Sequence, residues 1–259
     1  MIMRNNIINK KSQITIFVII ALIIVVAIAL VVVLVRQDKI EISARDSPKE
    51  YVETCVSEHI NNAIRAIQPN GGFLNPKSYL TLSGDKATYF CYTPLNTQLC
   101  SNVHPMLKQE MEKEIYSYIK PGVEDCFVKL RQNLRNSAYD EGELSFSVII
   151  ENEKVSAIIQ KKITFSVNSE KKTLEKFSPY ISDPSLTFIR IANEAINQEV
   201  SCDCGEETCN ANIFQIMAMN PGFEVKRFVT GRNEKIYTIT EELSGKRFNF
   251  AVRNCVRLP

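Results

Sequence analysis

Only two histidines, His59 and His104, occur in the 259 residues. A Ser or Cys nucleophile needs a base within hydrogen-bond reach, most often a histidine, so few triads can be assembled. His59 falls on the core side of a helical pattern, where it reads as a packing residue. His104 precedes Pro105 at a helix start, where a polar side chain is ordinary. G-x-S-x-G, H-E-x-x-H, a phosphate-binding loop and a dinucleotide fingerprint are all missing. There is no N-x-S/T acceptor for glycosylation. The formal net charge is only +2, which argues against nucleic acid as a partner, since that needs a basic patch or stripe. Repeats of solenoid length and low-complexity tails are also lacking. These absences leave one route to catalysis open, because two ordinary carboxylates suffice for glycoside hydrolysis. The paired acids Glu206–Glu207 and Glu241–Glu242 read as solvated charges instead. We expect no enzyme, no cofactor and no metal, with a hydrolase as the distant alternative.

What the chain has is one long uncharged run, residues 14–35, ITIFVIIALIIVVAIALVVVLV. Thr15 is its only polar side chain. As a helix it would be about 33 Å long, enough for a hydrocarbon core of roughly 30 Å. A core helix of a soluble protein is usually amphipathic, whereas this run is apolar all round. A cleaved secretory signal would have an apolar stretch of about 7–15 residues followed by small residues. This run is longer and ends in Arg36, Gln37, Asp38 and Lys39. The expectation is a single-span anchor with a large domain after it.

The residues before the run, Lys10-Lys11-Ser12-Gln13, complete the string KKSQITIF. This resembles the archaeal type IV prepilin signal, in which a membrane peptidase cuts before a Gln and the apolar helix stays on the mature protein. The resemblance implies a cut between Ser12 and Gln13, with a prepilin-type peptidase as a partner and other surface or pilus-like subunits as possible neighbours. The family usually carries Glu at the fifth mature position, where this chain has Phe17. That departure weighs against assembly into an abundant filament.

Charge does not decide which side the domain occupies. Arg4, Lys10 and Lys11 precede the run, and Arg36, Lys39, Arg45 and Lys49 follow it; long domains obey the positive-inside rule weakly. Cysteine placement is more informative. All eight cysteines, at positions 55, 91, 100, 126, 202, 204, 209 and 255, lie after the run. An even set on one side of a membrane reads as a disulfide framework in an oxidising space. Cys55 and Cys126 sit in similar contexts, VETCVSE and VEDCFVK, on the apolar stripes of two helical patterns, and so are expected to be bonded. Cys91 and Cys100 bracket one loop. Cys202, Cys204, Cys209 and Cys255 admit two disulfides, with Cys202 and Cys204 each taking one of the other two. Four thiolates on one zinc is the alternative, although C-x-C-x4-C departs from the usual paired spacing.

The order of elements follows from period and punctuation. Residues 1–13 form a basic leader, 14–35 the span, 36–46 a charged stalk and 47–259 the domain, with a possible sub-boundary near 136–142. Ser47, Pro48 and Glu50 predict a capped helix ending before Pro69-Asn70-Gly71-Gly72. A hairpin is predicted over 79–82 and 86–92. A helix is predicted over 105–119, interrupted by Pro121-Gly122 before a second helical segment. Alternation predicts a long hairpin across 144–150 and 155–167. Asp183 and Pro184 predict a helix start running to about Val200. Strands are predicted near 223–230, 234–240 and 246–253, and 213–219 is left unassigned.

The whole pattern, including YVETCVSEHI, Gly-Gly and VEDCFVKL, resembles a group of single-span membrane-anchored proteins of small-genome archaea that have no assigned activity. The expected class is α+β, an extracytoplasmic domain of antiparallel sheet and amphipathic helices on a membrane helix. The expected role is a cell-surface structural or interaction protein. A plain anchored binding or sensor domain is the first alternative.

Overall fold

Pro48 opens the first helix of the domain. The structure is a computed structural model describing residues 20–26, 47–134, 139–167, 170–202, 210–230 and 234–255. The chain divides into two units, Met1–Ile42 and Ser43–Pro259. In the first, residues 20–26 are helical with exposed side chains. Among the described residues no helix is long and apolar enough to cross a membrane. The leader, the stalk and the rest of 14–35 lie outside them. The second unit carries the α+β fold.

Helix α1 (Pro48–Ile67) has Pro at its first position, where a missing N–H costs nothing. The expected capping box does not form: the Ser47 side chain makes no cap bond, and its carbonyl accepts the Tyr51 N–H at 3.0 Å. Val52, Val56, Ile60, Ala63, Ile64 and Ile67 form the buried stripe. A 3-10 turn, Gln68–Asn70, leads into Gly71 and Gly72, at φ 73° and 88°. Only glycine adopts this region at little cost. A Cβ on Gly72 would also lie 2.5 Å from Met111, so the turn is pressed onto the next helix.

That helix, α2 (Leu107–Asn133), corrects the expected break. It runs unbroken through Pro121. An interior proline costs about 3 kcal/mol, but Pro121 is exposed and the apolar stripe continues past it. Met111, Ile115, Ile119, Val123, Cys126, Phe127 and Leu130 are buried in sequence. Burying each large apolar side chain contributes roughly 1.5–3 kcal/mol, so the residues beyond Pro121 more than offset the lost bond. Gly122 faces α1, and a Cβ there would meet the His59 ring at 2.5 Å. Gly122→Ala should therefore lower stability by about 1–3 kcal/mol through overpacking, after the small propensity gain of alanine. Urea unfolding of this variant in a His59→Ala background should recover most of the loss; an equal loss in both backgrounds would remove the steric explanation.

The strands are β1 (Tyr79–Leu82), β2 (Asp85–Tyr92), β3 (Ser101–Asn102), β4 (Tyr139–Glu141), β5 (Ser145–Glu151), β6 (Lys154–Val167), β7 (Glu170–Phe177), β8 (Tyr180–Ser182), β9 (Phe223–Val229), β10 (Glu234–Glu241) and β11 (Arg247–Arg253). The first sheet has the order β1-β2-β11-β10-β9, with β3 on β2. All its pairs are antiparallel except β11–β2, which is parallel. The second sheet is built around β6. Its register places β4 and β5 end to end along one side and β7 and β8 along the other.

Helices α3 (Ser185–Val200) and α4 (Ile213–Met219) complete the fold. α3 begins one residue later than expected, with Pro184 as its N-cap. One core joins both sheets to α1, α2 and α3. An aromatic series runs through it: Phe188 to Phe248, Phe248 to Phe90, Phe90 to Phe250 and Phe250 to Tyr237, with centroids 5.7, 6.0, 5.1 and 5.0 Å apart. Asp183, 2% exposed, ties three elements. It accepts from Gln68 Nε2 at 2.7 Å, from the Ser185 N–H at 3.0 Å and from Lys246 Nζ at 2.8 Å.

Candidate functional site

Three separate segments meet in a groove of about 480 Å³, within the usual size of a ligand pocket. Residues 73–78 follow the glycine turn, β2 supplies Tyr89 and Tyr92, the approach to α2 supplies His104, and the first turns of α2 supply Glu110 and Glu114. The two tyrosines share a face because of a register shift. Ala251 pairs with Tyr89, but Val252 pairs with Cys91. This bulge takes up one residue, so side chains three apart point the same way while Phe90 and Cys91 enter the main core. The tyrosine rings meet edge to face at 5.2 Å, and the Arg253 guanidinium lies 5.8 Å from the Tyr92 ring.

Polar groups frame the aromatic surface. His104 Nδ1 is 2.6 Å from Glu110 Oε2, and its ring packs on Phe73 at 4.7 Å and Phe90 at 5.5 Å. Glu114 accepts the Leu74 N–H at 3.1 Å. The Tyr89 hydroxyl donates to Glu234 at 2.7 Å. Burial first, and then the Glu234 carboxylate, push the Tyr89 phenol pKa up. Leu74, Val103 and Met106 stand exposed nearby. Glu110 and Glu114 already have partners, so the arrangement suits recognition of an apolar or flat group better than proton transfer to a reacting atom.

His104, read as an ordinary helix-start residue, is thus part of the groove. No sequence signal unites 73–78, 88–92 and 103–114; the glycine turn, the Tyr89 N–H on the Ser78 carbonyl and the Val103 N–H on the Phe90 carbonyl bring them together. His59, read as packing, packs on Gly122 beside a disulfide. The ligand atoms of Cys55, His59 and Cys126 lie within 4.8 Å of one another. The two sulfurs are bonded to each other, so they are not thiolate ligands.

The cysteines divide as follows. Cys55–Cys126 is bonded, with Cα atoms 6.0 Å apart, and joins α1 to α2. Cys91–Cys100 is bonded, with Cα atoms 5.3 Å apart, and closes the loop after β2. Cys202 corrects the expectation: it stands as a free thiol, because the chain after α3 gives it no partner among the described residues. Cys255 is in a disulfide whose partner lies outside them, as do Cys204 and Cys209. A four-thiolate zinc centre would need Cys255 as a thiolate. The processing residues Ser12 and Gln13 also lie outside the described residues, as do Glu206 and Glu207. Glu241 and Glu242 flank the β10–β11 turn, where the Ser244 hydroxyl donates to Glu241.

A second polar cluster is fully internal. Glu199, at the end of α3, is wholly buried and receives Lys235 Nζ at 2.6 Å and the Tyr237 hydroxyl. Burial first, and then the Glu199 charge, raise the Tyr237 pKa. Nothing in the local pattern marks this cluster, since Lys235 and Tyr237 read as strand residues and Glu199 as the polar end of a helix. Comparison with known proteins finds no matching family profile, no matching curated sequence and no matching solved structure.

Proposed function

We propose that the chain is a membrane-anchored extracytoplasmic interaction protein, a minor pilin-like component of the cell surface, that engages its partner through the groove. The groove carries this reading: an aromatic surface with exposed apolar residues beside it is built for contact, and its acids are already bonded. The anchor rests on the uncharged run 14–35 and the peptidase on KKSQITIF. The outward location is supported by the disulfides, which persist in oxidising compartments.

Three measurements test it. Protease added to intact cells should remove the domain beyond Arg36, and the mature chain should begin at Gln13. Full protection until the membrane is opened would place the domain in the cytosol. A photo-crosslinking residue at Val103 should then trap another surface subunit, whereas the same residue at Leu243, on the β10–β11 turn, should not. Equal trapping at both positions would remove the groove from the reading.

A further inference from the structure

Three reactive side chains meet inside the domain in a way that an ion pair does not require. Glu199 is 0% exposed, Lys235 7% and Asn254 3%. Lys235 Nζ is 2.6 Å from Glu199 Oε2. Asn254 Nδ2 donates to the Glu199 backbone carbonyl at 2.7 Å and lies 3.5 Å from the same Oε2. One carboxylate oxygen is therefore within reach of both the amine and the amide nitrogen. Lys235 pairs with Val252 across β10 and β11, which makes Asn254, two residues on, its diagonal neighbour on the same face.

The other half of the carboxamide is equally well placed. Asn254 Oδ1 accepts the backbone N–H of Cys100 and that of Cys255, each at 2.9 Å. With the oxygen facing two donors and the nitrogen two acceptors among the described residues, the amide has one sensible orientation. Two backbone donors aimed at an amide oxygen would also stabilise the negative charge that gathers there if its carbon is attacked. Glu199 is itself held by Tyr237 and by the Ala211 N–H at 3.2 Å.

We propose that Lys235 and Asn254 join in an isopeptide bond, with Glu199 as the catalytic proton carrier. Glu199 takes a proton from the Lys235 ammonium, leaving a neutral amine. Nζ attacks Asn254 Cγ, and the oxyanion forms on Oδ1 between the Cys100 and Cys255 N–H groups. Glu199 delivers a proton to Nδ2, the Cγ–Nδ2 bond breaks, and ammonia departs. The remaining proton on Nζ becomes the amide hydrogen after any excess passes back to Glu199. No oxidant, reductant or co-reactant is consumed. The product covalently joins β10 to the segment after β11. This inference stands apart from the proposed anchor and groove.

The test is peptide mapping of the full chain, purified in detergent, reduced and alkylated. A branched peptide joining Lys235 to Asn254 is expected, lighter by one ammonia than its two parts and resistant to trypsin at Lys235. Glu199→Gln should slow its formation about 100-fold or more, the usual range for a lost acid–base group. The Cys55–Cys126 linkage in that variant, mapped without reduction, certifies that it has folded. Wild-type chain with a cleavable Lys235 and an intact Asn254 overturns the proposal. So does ammonia loss confined to Asn254, which signals cyclisation onto its own backbone. Cross-linking at an unchanged rate in folded Glu199→Gln overturns the role of Glu199.

Discussion

Cys55→Ser should destabilise the domain by about 4 kcal/mol, and Cys126→Ser by the same amount. The bridge closes a loop across a sequence separation of 71. The loop-entropy relation assigns roughly 4 kcal/mol to a closure of that size through restriction of the unfolded chain. The double variant should be little worse than either single one, because one bond is lost in all three. Urea unfolding at fixed pH would show this as a shift in midpoint. A change below about 1 kcal/mol in both single variants would mean that helix packing alone sets the α1–α2 geometry. Free, alkylatable thiols at both positions in protein taken straight from cells would also undercut the proposed outward location.

The second large effect belongs to Asp183→Ala. Its carboxylate gathers donors from the end of α1, the start of α3 and the β10–β11 turn. Removing it takes one acceptor from the Gln68 amide, 3% exposed, which keeps the Ser185 hydroxyl at 3.2 Å, and strands the N–H of the fully buried Ser185. Such groups cost about 1–3 kcal/mol each. Lys246 is partly exposed, so its charge can return to water and contributes less. The expected total is about 3–5 kcal/mol, similar to breaking a buried pair. Lys246→Ala should also be costly, because it removes the cation while the buried acid stays. If Asp183→Ala loses less than about 1 kcal/mol by thermal or urea unfolding, the three-way tie is not what holds these elements together.

Much of the fold was legible where burial and period agree. The α1 stripe recurs at helical spacing and the β5–β6 hairpin alternates apolar and polar residues, whereas the C-terminal strands were marked by the turn signals between them, since β11 is buried on both faces from Phe248 to Val252. β7 was not legible, because EKKTLEKF lies almost wholly in water and buries only Phe177 fully. Its strand character comes from pairing with β6, a tertiary cause that leaves no apolar pattern. Helix α2 passed through a proline that local propensity would treat as a stop, because the stripe on both sides packs against α1. The groove and the Glu199 cluster were hidden for another reason. Each gathers side chains from distant segments, and no single stretch carries the chemistry. The cysteines lay between these cases: the two helical contexts marked Cys55 and Cys126, whereas spacing alone could not place Cys202.

The parallel pairing of β2 with β11 sets the timetable of assembly. Thr88 pairs with Phe250, so a growing chain completes β2 long before its neighbour exists. At roughly 5–20 residues per second, that wait is on the order of ten to thirty seconds. Throughout it, β2, with Tyr89, Phe90 and Cys91 near its end, has only β1 and β3 beside it in the first sheet. Loop closure between nine-residue neighbours is fast, so Cys91 and Cys100 can meet within this interval and hold β3 against the strand. Among the described residues the last-made strand of the first sheet is therefore also its central one, and a chain truncated before β11 would present an unfilled slot to any passing strand of matching pattern.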